Sequence, residues 1–168
     1  MKRHPGAGIS RRTAPGPPAP RRCAFCAIVR GEAPAHRVIE DAASIAFLDH
    51  RPLFPGHCLV VPRDHHETLD EVPPDLLARV VENARRLSIA VERALEADGA
   101  FVALNNRVSQ SVPHLHVHVV PRRFGDGLRG FFWPRHPTPD AATLSEVQGV
   151  IRAALAALPP ASGGAVPP

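Results

Sequence analysis

His114-Leu115-His116-Val117-His118-Val119-Val120 places three of the chain's ten histidines within five residues. Strict alternation of imidazole and aliphatic side chains predicts a strand over residues 114–120. Alternate residues of a strand point to one face, with i and i+2 roughly 6–7 Å apart. The three imidazoles then share a face, while Leu115, Val117 and Val119 enter the core on the other. A neutral imidazole near neutral pH attacks, accepts a proton, donates a hydrogen bond or binds a metal. A polar, solvent-facing strand is the plain alternative, and three histidines in register beside an apolar face argue against it. Two histidines at i and i+2 on a strand also suit zinc.

Outward from this stretch the chain reads as α+β. Residues 36–40 and Ser44–Leu48 are short strand candidates split by Asp41, and residues 49–56, with Pro52, Pro55 and Gly56, form a turn into a strand at 57–61. Pro73 and Pro74 open a helix whose Leu76, Val80, Ala84, Leu87, Val91 and Leu95, spaced 4, 4, 3, 4 and 4 apart, make one apolar stripe. Gly99 is placed to stop it. Residues 100–104 are a further strand. Thr143 and Glu146 suggest a capping box ahead of Val147, Val150, Ile151, Ala154 and Leu158, a terminal amphipathic helix. Strands grouped around one long helix, without regular βαβ alternation, predict an antiparallel sheet of about five strands.

The 168 residues fit one domain, with 44% hydrophobic residues to fill its core. The longest apolar runs, such as 153–158, reach five or six residues, far short of a membrane span. No apolar stretch follows the charged N-terminus, so no secretory signal is read and cytoplasmic location is expected, with the three cysteines reduced. Residues 1–22 carry six basic residues and no acid, while the other 146 hold 14 basic against 16 acidic residues. The formal +4 therefore belongs to a leader that also holds five prolines and three glycines, read as a disordered tail. No aromatic residue interleaves its arginines, so nucleic acid is not an expected partner. Residues 159–168 read as a second tail, leaving a domain over 23–136 and a helix over 137–158.

The histidine stretch matches the signature His-φ-His-φ-His-φ-φ, where φ is hydrophobic, and the chain resembles the histidine-triad family. Cys23-Ala-Phe-Cys26, Ala46-Phe47-Leu48-Asp49, Pro55-Gly56-His57-Cys58 and Gln110-Ser111-Val112 also occur in the family's order. Gln-Ser-Val before the triad is similar to the nucleotide-binding branch; the fragile-histidine-triad branch typically has Thr at the Ser111 position. The resemblance implies a hydrolase or transferase acting at the α-phosphorus of adenylate-type nucleotides: phosphoramidates, acyl-adenylates or dinucleoside polyphosphates. It implies that His116 attacks to give a nucleotidyl-histidine, which water hydrolyses to a nucleoside monophosphate. His118 then bonds the phosphate oxygens, Ser111 assists the leaving group and His57 supports the triad. Asp49 accepts from the ribose, unless it only caps its turn; Asn105 orients phosphate or ribose, unless it only ends a strand. Gln110 joins these substrate contacts, and Phe25, Ile28 and Phe47 become walls of a base pocket, where otherwise they are core. A homodimer is implied too, since the sheet leaves an edge strand unprotected.

Cys23-x-x-Cys26 fits redox chemistry or a metal, and no thioredoxin-like βαβ pattern surrounds it. In bacterial members of the family such a pair binds zinc with a later histidine and the first triad histidine. Here the resemblance implies His65 and His114, a closed structural site in which His114 is a ligand. Cys58 reads as inert core, and His36, His50, His66 and His136 as surface or turn residues.

Two features depart from the family. The connection Asn106-Arg107-Val108-Ser109 is about two residues shorter than usual and lacks the glycine that lets backbone approach phosphate, so Arg107 is an alternative source of charge. Pro113 replaces the usual large residue before the triad. Phe131-Phe132-Trp133 forms an aromatic cluster suited to a substrate mouth, a dimer surface or the core. A nucleotide-binding scaffold of the same fold is the alternative function. An aprataxin-like DNA-end deadenylase is disfavoured, because no Cys after Cys58 can build its zinc finger.

Overall fold

The structure is a computed structural model and describes residues 23–128 and 140–158. The two expected tails, the aromatic cluster 131–133 and His136 lie outside the described residues.

Five antiparallel strands, β1 (Arg37–Glu40), β2 (Ser44–Leu48), β3 (Cys58–Pro62), β4 (Gly99–Ala103) and β5 (Val117–Arg122), form one sheet in the order β1-β2-β3-β5-β4. The fold is α+β, as the pattern predicts. Its tightest turn is local chemistry. Asp41 Oδ1 accepts the N–H groups of Ala43 and Ser44, an Asx turn that sends β1 back as β2. Period-two alternation then divides the sheet's side chains between two cores. Ala46, Cys58, Val60, Val117 and Val119 face the long helix α2 (Pro74–Leu95) and meet its Val80, Ala84, Leu87 and Val91. Ile45, Phe47, Leu59 and Val61 face the other way, onto Phe25 of the short helix α1 (Ala24–Val29). Central strands buried on both faces explain the unbroken apolar runs of β2 and β3.

The structure corrects several expected boundaries. The triad strand begins at Val117 and runs to Arg122, instead of spanning 114–120. Before Val117 the backbone leaves the ladder: Leu115 N–H bonds to His66 O, and Pro62, ending β3, has no N–H to offer. Helix α2 starts with Pro74 in its first turn as read, but ends at Leu95, with Glu96 at φ 52°; Gly99 opens β4 instead. Arg123 caps that end, its guanidinium donating to the carbonyls of Leu95 and Glu96. The terminal helix α3 (Ala141–Ala156) is capped by Asp140, whose Oδ1 accepts Thr143 N–H at 2.7 Å, so Thr143 lies inside the helix and is not its cap. Its Val147, Val150 and Ile151 are exposed. Helix α1 and a 3₁₀ turn at Leu69–Glu71 carry too few residues for a periodic signal and were not expected. Among the described residues no helix is long and apolar enough to cross a membrane.

Candidate active site and metal centre

The face of the sheet toward α1 carries the chemistry. β3 and β5 are neighbours, with Leu59 opposite His118, so His57 at the mouth of β3 reaches the third triad histidine. His57 Nε2 lies 2.9 Å from His118 Nδ1, and Leu53 N–H points at His57 Nδ1 from 3.2 Å. A backbone N–H can only donate, so His57 Nδ1 holds a lone pair and its proton sits on Nε2. That proton is donated to His118 Nδ1, which leaves the His118 proton on Nε2. His116 is set the opposite way. Its Nδ1 lies 2.7 Å from the carbonyl of His114 and must donate to it, so Nε2 keeps the lone pair. The His116 and His118 rings lie 4.9 Å apart. One ring thus offers a lone pair and its neighbour offers an N–H. Burial pushes His118 down to about 4, with His116 and His57 adding to the shift. Burial also lowers His57, against the raising influence of Asp49. Both are neutral at pH 7.

The His116 and His118 rings both line a cavity of about 580 Å³. Phe25, Ile28, Phe47, Leu59 and Val112 are among its apolar lining, and Asp49, Ser111, His116 and His118 among its polar lining. Eight of the ten residues expected to act on substrate reach this cavity or, for His57, back it; Asn105 and Gln110 do not line it. Asn105 donates to Ser109 O at 3.3 Å. Gln110 is already engaged, accepting from Arg107 N–H at 2.9 Å within its loop and donating to Glu67 O at 2.6 Å outside it. The Arg107 guanidinium turns to Asp70 and away from the cavity. Of the two roles expected for Asp49, the turn is the one seen: Oδ1 accepts Arg51 N–H, while Oδ2 faces His57 Nδ1 at 3.6 Å. His36 and His50, read as surface residues, stand at the cavity rim. Leu53, whose N–H fixes the His57 tautomer, was missed, because a backbone donor leaves no mark in residue type.

The other triad histidine belongs to a separate cluster. Donor atoms of Cys23, Cys26, His65 and His114 all lie within 4.8 Å of one another. Sγ of Cys23 is 3.4 Å from His114 Nδ1, Sγ of Cys26 is 3.3 Å from His65 Nδ1 and 3.5 Å from His114 Nδ1, and the two Nδ1 atoms are 3.3 Å apart. Zinc bonds of about 2.3 Å to sulfur and 2.0–2.1 Å to nitrogen make tetrahedral edges of roughly 3.6 Å (S–N) and 3.3 Å (N–N). The four residues fit that ion. His114 donates from Nε2 to Pro62 O at 3.0 Å, which turns the lone pair on Nδ1 toward the sulfurs. Burial holds His114 neutral, at about 4. Asp49, His57 and His118 also gather donor atoms within 4.8 Å, but the hydrogen bonds above already use the imidazole lone pairs of that set. Cys58, buried with its thiol raised to about 11 by burial, is the inert core residue expected.

A family model described as the HIT domain matches residues 30–125. An uncharacterized HIT-like protein of Mycobacterium tuberculosis is 41% identical over 124 residues, 71% of this chain and 86% of that protein. A Saccharomyces cerevisiae protein named adenosine 5'-monophosphoramidase is 35% identical over 120 residues, 69% of this chain and 72% of that protein. Among solved structures, a Zn-bound histidine triad family protein from Mycobacterium smegmatis superposes with a TM-score of 0.62 and 40% identity, over 80% of this chain and 94% of that one. Set beside a triad whose first histidine faces two cysteines and whose other two open onto one cavity, these matches give a plain result: the chain belongs to the HIT domain family.

Proposed function

We propose that the protein hydrolyses or transfers adenylate-type nucleotides by attack of His116 Nε2 on the α-phosphorus. The observation that carries this reading is the opposed pair of tautomers, a lone pair on His116 beside an N–H on His118. The attack forms an Nε2–P bond and breaks the bond from phosphorus to the leaving group. The His118 N–H stabilises charge growing on the non-bridging oxygens, where a donor fixed in advance is most effective. The hydroxyl of Ser111, in the cavity lining, assists the bridging atom. Water then attacks the same phosphorus, the N–P bond breaks and His116 regains its lone pair. Net, one water is added across the original bond and a nucleoside monophosphate leaves. Asp49 is suited to accept the ribose hydroxyls, and Phe25, Ile28 and Phe47 to enclose the base.

The assignment to the nucleotide-binding branch is part of the same reading, supported by the relative named adenosine 5'-monophosphoramidase. So is zinc at Cys23, Cys26, His65 and His114, supported by the edge lengths and the Zn-bound structural relative. Four protein ligands leave no open position, so the ion would pin α1 to the sheet without taking part in turnover. The test is incubation with an adenosine phosphoramidate, with AMP separated and quantified. Release by the wild type and its loss in His116→Ala support the proposal. A wild type that binds the nucleotide tightly but releases no AMP would instead favour a binding protein.

A further inference from the structure

The loop that ends in Ser111 is strained and held from outside. Arg107 and Ser109 adopt φ of 69° and 61°, a left-handed conformation that is unfavourable for any L-residue. No glycine relieves this, so neighbouring contacts must enforce it. Within the loop, Gln110 Oε1 accepts Arg107 N–H and Asn105 donates to Ser109 O; the contacts from outside it come from one segment, residues 66–71. Arg107 Nη2 donates to both carboxylate oxygens of Asp70, at 3.0 and 2.9 Å. Leu69 N–H donates to Asn106 Oδ1 at 2.9 Å, and Gln110 Nε2 to Glu67 O at 2.6 Å. On the far side of Ser111, Leu115 N–H donates to His66 O at 2.6 Å. The segment is itself fixed, since Glu71 accepts the N–H groups of Glu67 and Thr68.

We infer that Asp70 and Arg107 are positioning residues: their ion pair clamps the 105–111 loop to the 66–71 segment and so sets Ser111 against the leaving group in the cavity. The inference rests on the function proposed above. Both side chains are 62% exposed, and an exposed pair adds little to global stability. Its consequence is therefore local: without it, residues 107 and 109 relax toward right-handed backbone and carry Ser111 away. A shift of about 1 Å at a reacting group costs up to a hundredfold in rate.

The test uses the full chain, wild type against Asp70→Asn, Arg107→Gln and the charge swap Asp70→Arg/Arg107→Asp. The readouts are kcat and KM for AMP release, the melting temperature, and amide exchange at Leu69. In each single variant kcat should fall about tenfold, with KM within about twofold and melting unchanged. Leu69 should exchange faster. The swap should recover kcat to within about threefold of wild type and restore Leu69 protection. Single variants within about twofold of wild-type kcat overturn the clamp, and so does a swap as slow as the singles, because Arg107 would then act by its charge on substrate. If the wild type releases no AMP, the proposed function fails, and exchange at Leu69 alone decides the clamp: unchanged in the singles, it is refuted.

Discussion

His57 illustrates how one hydrogen-bond donor propagates through a site. Leu53 N–H fixes its tautomer, and that tautomer fixes the proton of His118. Replacing His57 with Phe removes the donor, and the site loses the preference that keeps the proton on Nε2 of His118. We expect His57→Phe to lower kcat by about a hundredfold with little change in KM. His57→Gln, whose amide N–H can replace the donor, should lose much less. Equal losses in the two variants would show that packing and not the proton matters. The same residues set a pH dependence. His57 and His118 have folded values below the ordinary 6.5, His118 at about 4. Between those values the unfolded chain binds more protons than the folded one, so stability rises with pH across that window. It is complete above about pH 6.5 and lost as pH falls toward about 4. Urea unfolding from pH 7 to 4 should show this fall. His57→Gln should show a shallower one, which separates the effect from metal release; parallel curves would contradict it.

Among the elements, β2 was legible as a short apolar run bounded by turn residues, and α2 by its one clean stripe from Leu76 to Leu95. The start of β5 was not, because it depends on where the N–H of Leu115 goes, and its partner His66 lies far back in the sequence. Gly99 and Thr143 misled for a related reason. Glycine and threonine are good caps by type, but Glu96 and Asp140 stood where the caps were needed. Gly56 shows the opposite case, a turn residue whose type is required. It sits at φ 92°, and an added Cβ would lie 2.2 Å from Leu95 Cδ1. Gly56→Ala should destabilise the fold by about 1–2 kcal/mol in urea titration, chiefly through backbone strain at its positive φ, since Leu95, 38% exposed, can turn its methyl aside. A midpoint equal to wild type would contradict this. The metal cluster makes its own prediction for α1, which hangs on Cys23 and Cys26. Chelation or Cys26→Ala should lower the melting temperature first, with activity lost only as the fold loosens. Activity abolished at unchanged melting would mean a catalytic ion.

Across the whole molecule, two clusters of side chains meet in one seven-residue stretch. His114 is turned inward to two cysteines, and His116 and His118 open onto the cavity. The division was readable only by resemblance, since spacing alone makes the three histidines equivalent. The clamp from Asp70 to Arg107 was not readable at all, because neither residue type nor local spacing links positions so far apart. β4 ends the sheet as an edge strand, with Val102 46% exposed, and pairing with a second copy would protect it. We therefore propose a homodimer, and sedimentation at micromolar concentration should give twice the chain mass. The central claim is covalent catalysis by His116, and it is tested most directly by rapid acid-free quenching of wild-type protein with an adenosine phosphoramidate, followed by peptide mass analysis. An adenylyl group on His116, absent from a folded His116→Ala variant that no longer releases AMP, is the predicted result. An adduct on Ser111 or Cys58, or full turnover in His116→Ala, would contradict it.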